Sequence, residues 1–129
     1  MSEKFTVEII SPDKSILKTE TSEVIIPSFE GEMGILKDHI SLITFLRPGI
    51  IKIITDDEKK FFVEEGTVEF AENNLLILTS TAISISDINK SFLNSLINET
   101  EKRIKGDTIS DKEQYLLSYK LNTLKNINL

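Results

Sequence analysis

The hydrophobic pattern of this chain changes period near Ser86, and no other feature limits its possible folds as much. Before that point the apolar residues recur in short alternating runs. Phe5, Val7 and Ile9 alternate with Thr6 and Glu8; the run 24–26 ends at Pro27, and the run 50–54 ends at Asp56-Asp57. Residues 60–63 lead to Gly66, Val68 and Phe70 flank Glu69, residues 75–78 follow Asn73-Asn74, and Ile83 and Ile85 alternate with Ser84 and Ser86. A period of two in short β-branched and aromatic runs between turn residues predicts the strands of a sandwich or barrel. Every proline lies in this part, as do Gly31, Gly34, Gly49 and Gly66.

After Ser86 the spacing becomes helical. Ile88, Phe92, Leu96 and Thr100 form one stripe with Leu93, Ile97 and Ile104 beside it, while Lys90, Asn94, Asn98, Glu101 and Lys105 face elsewhere. Asp87 is the candidate N-cap and Gly106 the candidate stop, which predicts a helix over about residues 88–105. Ser110-Asp111-Lys112-Glu113 has the capping-box pattern, and Leu117, Leu121 and Leu124, flanked by Tyr115, Leu116 and Tyr119, predict a second helix over about 111–127. The short loop 106–110 makes the two an antiparallel hairpin. The expected organisation is an all-β domain, 1–86, followed by a helical domain, 87–129. Both helices carry wide apolar stripes, suited to packing on each other, on the sandwich or on another protein.

Composition removes several function classes. The 129 residues contain no cysteine and one histidine, which excludes disulfides and thiolate chemistry and leaves little for a histidine metal site. The net charge of -6 argues against nucleic-acid binding, and the acidic excess lies in residues 1–86. Met1-Ser2-Glu3-Lys4 runs directly into a strand pattern, so no secretion signal is expected, and no apolar run approaches the roughly 20 residues of a membrane span. Membrane contact is therefore expected only through a partner.

Catalytic motifs are equally scarce. The segment 31–34 lacks the Lys-Ser/Thr ending of a phosphate loop, and Ser28 and Ser41 lack the strand-turn-helix setting that would expose a nucleophile to His39. The acidic pairs and runs at Glu30 and Glu32, Asp56-Asp57-Glu58 and Glu64-Glu65 have no calcium-loop spacing and read as solvated turns. Lys102, Arg103 and Lys105 complement the negative end of a helix. No cofactor or metal is expected.

One segment is more specific. Ile26-Pro27-Ser28-Phe29-Glu30-Gly31-Glu32-Met33-Gly34-Ile35-Leu36, then His39, then Leu46-Arg47-Pro48-Gly49, resembles the signature of the epsilon subunit of bacterial F-type ATP synthases, counterpart of the mitochondrial delta subunit. Ile10-Ser11-Pro12, the Gly66 turn, Thr81-Ala82-Ile83 and the helical hairpin follow the same family order, so the resemblance spans essentially the whole chain. It implies a ten-stranded β-sandwich followed by two helices, in a non-catalytic subunit of the central stalk. It also implies binding to the gamma subunit and the c-subunit ring, coupling proton-driven rotation to ATP synthesis at the cytoplasmic face of the bacterial inner membrane. Gly31, Glu32, Met33 and Gly34 match the turn facing the rotor ring, and His39 matches a position near gamma. Lys120 and Lys125 are the candidates for hairpin contact with the alpha and beta subunits of the catalytic head, through which the hairpin would regulate hydrolysis. The alternative from the residues alone is a free-standing sandwich that binds a ligand or protein.

The departures from that pattern are informative. Lys37-Asp38 stands where many members have Pro-Gly, and Glu64-Glu65-Gly66 where many have Ser-Gly-Gly. Nucleotide-sensing members carry an aspartate and an arginine at the start of the first helix, where this chain has Asn89 and Phe92. Phenylalanine cannot supply the forked cationic donor of a guanidinium, so ATP sensing is not expected.

Overall fold

The computed structural model describes residues 3–106 and 108–129; Asp107, in the predicted loop 106–110, and Met1 and Ser2 lie outside the described residues. The ten strands are β1 (Phe5–Ile10), β2 (Ser15–Thr21), β3 (Glu23–Ser28), β4 (Gly31–Leu36), β5 (Leu42–Leu46), β6 (Gly49–Ile54), β7 (Glu58–Val63), β8 (Gly66–Ala71), β9 (Asn74–Leu78) and β10 (Ile83–Ser84). A 3₁₀ turn, Ile85–Asp87, leads into α1 (Lys90–Ile104) and α2 (Asp111–Lys125).

The strands form one ladder curled into two layers. One layer runs β10-β7-β6-β3-β4 and the other β5-β8-β9-β1-β2, joined by backbone pairing of Ser28 with Leu46. β1 and β9 pair in parallel, and the other neighbours are antiparallel. Alternation sends Val7 and Ile9, Val24 and Ile26, Ile51 and Ile53, Val68 and Phe70, and Leu75 and Ile77 into the space between the layers. These side chains are 0–1% exposed, and each contributes roughly 1.5–3 kcal/mol through burial.

A second core lies on the outer side of the first layer. In β7, Phe61 and Val63 face the sandwich interior while Phe62, 1% exposed, points outward to Ile88, Leu93 and Leu124. Ile50, Ile83, Ile85, Leu96, Ile97 and Ile127 surround that cluster. The hairpin is thus docked on β6, β7 and β10, a choice the helical stripes alone left open.

Two local expectations are revised. The N-cap of α1 is Asn89, whose side-chain oxygen accepts from the Phe92 amide at 2.7 Å, and not Asp87. The reason is local: the Ile88 amide donates to the Ile85 carbonyl, closing a tight turn before the helix begins. The buried face of α1 is also rotated from the expected stripe, with Leu93 and Thr100 buried and Phe92 40% exposed. Ser110 caps α2 by accepting from the Glu113 amide at 3.1 Å, while the Glu113 carboxylate lies 3.5 Å from Arg103 across the closed end of the hairpin.

Candidate functional site

The connections after β3, β5 and β7 gather at one end of the sandwich. The first is a two-residue turn in which the Ser28 hydroxyl donates to the Gly31 carbonyl at 2.6 Å and Gly31 adopts φ +122°, a conformation a side chain rarely takes. Glu32, exposed, pairs across the strands with Pro27. Gly34 is exposed on the same face, whereas Met33 alternates inward and packs, half-buried, against the main core. Of the four residues expected at the rotor-facing turn, three therefore form surface and Met33 anchors it.

The connection β5 to β6 is locked to the same corner. The Phe29 amide donates to the Phe45 carbonyl at 3.1 Å and the Arg47 amide to the Pro27 carbonyl at 2.9 Å. Gly49 sits so close that a Cβ there would lie 2.5 Å from the Pro27 Cβ. This is why glycine follows Pro48: two backbones cross at the seam between the layers.

His39 lies on the β4–β5 connection. Asp38, where many relatives of the resembled family have glycine, takes φ 65° and is held by Asn73: its amide donates to Asn73 Oδ1 at 2.7 Å, and Asn73 Nδ2 donates to Asp38 Oδ1 at 3.0 Å. The reciprocal bonds offset the strain of a left-handed aspartate. The His39 ring meets Phe70 edge-on at 6.0 Å, with Nδ1 2.7 Å from the Ile40 carbonyl.

Beside His39 lies an apolar surface that the sequence reading did not single out. Ile40, Ile43 and Phe45 are 79, 70 and 59% exposed, and Leu78 is 44% exposed. Cross-strand register places Ile43 and Phe45 opposite Glu69 and Thr67, which in turn face Leu76 and Leu78. These residues line the outer face of the second layer, which at its Phe45 and Leu78 end opens into a cavity shared with α2 residues such as Lys112 and Leu116. The sequence carried no clear signal for it, because β5 has apolar residues on both faces; only the inward placement of Thr44 and Leu46 in the fold leaves Ile43 and Phe45 facing out. Several large apolar side chains exposed on one face, interleaved with Glu69 and Thr67, make this face a candidate interaction surface.

The helical residues occupy definite places. Lys120 Nζ lies 2.8 Å from Glu64, its side chain only 14% exposed, and Lys125 lies 3.6 Å from Glu101. Tyr115 stacks on Phe29 with centroids 6.3 Å apart and planes 9° from parallel, and the Arg47 guanidinium sits 4.0 Å above the Tyr119 ring. An aromatic pair contributes about 0.5–1.5 kcal/mol and a cation–π contact about 0.5–1 kcal/mol. Neither contact was read from the sequence, although tyrosines at i and i+4 share a helix face. Asn89 is engaged as a cap, and Phe92 stands in solvent. Among the described residues no group of three His, Cys, Asp or Glu side chains is placed to hold a metal ion.

Comparison with known proteins extends this picture. Residues 4–85 match the family described as ATP synthase, Delta/Epsilon chain, beta-sandwich domain. An ATP synthase epsilon chain of Pelagibacter ubique (strain HTCC1062) is 49% identical over 130 residues, spanning 99% of this chain and 100% of that protein. One from Parvibaculum lavamentivorans is 30% identical over 129 residues, spanning 98% and 97%. Among solved structures, a chain of the Euglena gracilis mitochondrial ATP synthase (OSCP/F1/c-ring) superposes with a TM-score of 0.80 at 20% identity, covering 95% of this chain and 79% of that one. A chain from the central stalk and c-ring of the Tetrahymena thermophila enzyme gives 0.69 at 18% identity, covering 96% of each. At these identities the likeness is one of fold.

Proposed function

The chain belongs to the ATP synthase delta/epsilon family, and from that premise we propose that it is a non-catalytic central-stalk subunit of a rotary ATP synthase, binding gamma and the c-subunit ring. The observation that carries the gamma assignment is the uncovered apolar face of Ile40, Ile43, Phe45 and Leu78 beside His39. Torque transfer needs a stiff body with a fitted interface, and a two-layer sandwich with a closed core supplies that stiffness. Gly31, Glu32 and Gly34 present the ring-facing surface at the hairpin end. A free-standing ligand-binding module is set aside, because the family relation runs along the whole chain. The subunit would work peripherally on the cytoplasmic face of a bacterial inner membrane.

Co-purification tests this reading. A tagged chain should bring down gamma and the catalytic subunits. Ile43→Asp together with Phe45→Asp should reduce recovered gamma about ten-fold or more, since charges buried in an apolar contact are strongly unfavourable. Both positions are exposed, so thermal melting should stay near that of the parent. Full gamma recovery by the double variant would refute the assignment.

The hairpin is the proposed regulator of hydrolysis through the alpha and beta subunits. In the docked arrangement Lys120 is engaged by Glu64 of the sandwich and is released only when the hairpin moves, whereas Lys125 pairs with Glu101 inside the hairpin and stays largely exposed. Removing residues 87–129 from the assembled enzyme should raise its ATP hydrolysis rate. An unchanged rate would exclude inhibition by the hairpin.

Nucleotide is not its trigger. Asn89 and Phe92 lack the anionic and cationic groups of the sensing motif, and Asn89 is occupied as a helix cap. Calorimetric titration of the purified chain with magnesium ATP should give no binding heat; a micromolar Kd would contradict this.

A further inference from the structure

Three successive contacts from α2 reach three different connections of the sandwich. Tyr115 stacks on Phe29 of the β3–β4 turn, Tyr119 carries Arg47 of the β5–β6 connection, and Lys120 pairs with Glu64 just after β7. The Phe29–Gly31 turn leads directly into Glu32; beyond the Ser28–Gly31 pair that closes the β3–β4 ladder, it is tied by the Ser28 hydroxyl to the Gly31 carbonyl and by the Phe29 amide to the Phe45 carbonyl. Phe29 is 41% exposed even with Tyr115 upon it, so without the helix its ring would have little to rest on. Arg47 bonds Pro27 through its amide, so the Tyr119 contact bears on the same corner from the other strand. At the opposite end, the Asp38–Asn73 clamp is remote from these contacts.

We infer that Tyr115 and Tyr119 are positioning residues for the Glu32 turn, so that docking of the hairpin and order of the ring-facing surface form one linked equilibrium. Undocking the hairpin loosens the turn, and fixing the turn favours the docked hairpin, because linkage between two sites is reciprocal. The regulatory helices and the rotor contact thereby communicate within this subunit, without nucleotide. The ring-facing role of Glu32 is taken from the functional reading above; the linkage itself is a property of the isolated chain.

Amide hydrogen exchange on the full chain tests it. The Phe29 and Arg47 amides are both hydrogen-bonded at this corner, and the Asp38 and His39 amides serve as controls at the far end. In Tyr115→Ala/Tyr119→Ala, exchange at Phe29 and Arg47 should accelerate at least ten-fold while Asp38 and His39 keep the parent rates. Tyr115→Phe/Tyr119→Phe retains both rings and should restore the parent behaviour. Unchanged exchange at Phe29 and Arg47, or equal acceleration at both ends, overturns the linkage.

A second variant reads the linkage from the other side and does not depend on folding of the double alanine. Phe29→Ala removes a partly exposed ring and should accelerate exchange at the Gln114 amide, in the first turn of α2. No change there also overturns it. Binding of purified c-ring in detergent then separates the two claims: the double alanine should bind about ten-fold more weakly than the parent. Failure of the parent itself to bind the ring would refute the functional reading, while the exchange result would still decide the linkage.

Discussion

Phe62→Ala should destabilise the protein by about 3–5 kcal/mol, the range for deleting a fully buried aromatic side chain. Phe62 is 1% exposed and is the strand residue at the centre of the second core, against Ile88, Leu93 and Leu124. Its neighbours Phe61 and Val63 belong to the other core, so the sandwich interior keeps its packing while the hairpin loses its principal anchor. The loss should therefore be unevenly felt. Both tyrosines lie in α2, so their fluorescence reports the hairpin, whereas far-ultraviolet circular dichroism follows both parts. Urea titration of the parent should give coincident transitions by the two probes. In Phe62→Ala the tyrosine transition should move to lower urea and separate from the other. A loss below about 1 kcal/mol, outside that cavity-forming range, would mean that the hairpin is held mainly by its edge contacts and not by this core.

Gly49→Ala should be the second large effect, through overlap and not through a cavity. The added Cβ would stand 2.5 Å from the Pro27 Cβ and 2.9 Å from its Cγ. A pyrrolidine ring cannot rotate away, so one of the two strands must shift, at a cost of about 2–3 kcal/mol. Because Arg47 and Pro27 are joined by a backbone hydrogen bond at this point, the shift also disturbs the platform under Tyr119. Pro27→Gly removes the opposing atoms. The double variant should be less destabilised than the sum of the two single changes, and strict additivity in denaturant melts would rule out the clash as the cause.

The fold class was legible because most strands show their alternation openly. Seven runs in residues 1–86 could be read as strands from their residues alone. The remaining three, β2, β4 and β5, were harder for distinct reasons. β2 is an edge strand whose Ser15, Lys18, Thr19 and Glu20 blunt its apolar signal. β4 is a second edge carrying Gly31 and Gly34, which by themselves read as turns. In β5 the apolar residues occupy both faces, so Leu42, Ile43, Phe45 and Leu46 give no period of two. The family signature supplied these strands where periodicity did not.

Within the candidate site, the exposure of Glu32 and the positive φ of Gly31 follow from local sequence, whereas the partner of Asp38 does not. Asn73 stands 35 residues away and is brought to Asp38 only when β4–β5 and β8–β9 meet at one end of the sandwich. The lysines give a similar lesson. Lys120 has no acidic residue nearby in the second helix, yet folding places Glu64, from the far side of the chain, at 2.8 Å.

What the amino-acid order determined by itself is the succession of short strands and then two capped helices, because side-chain period, turn residues and caps act over a few positions. It also determined which residues are chemically able to serve: Asn89 and Phe92, an amide and an aromatic ring, offer neither a carboxylate nor a guanidinium, and this is visible without coordinates. The tertiary structure decided where the hairpin rests, which sandwich face stays open and which turn α2 touches. Those outcomes depend on contacts such as Phe62 with Leu124 and Phe29 with Tyr115, between residues far apart in sequence. No local period encodes such pairs; they are selected by the shape and burial of surfaces that exist only after the sheet has closed.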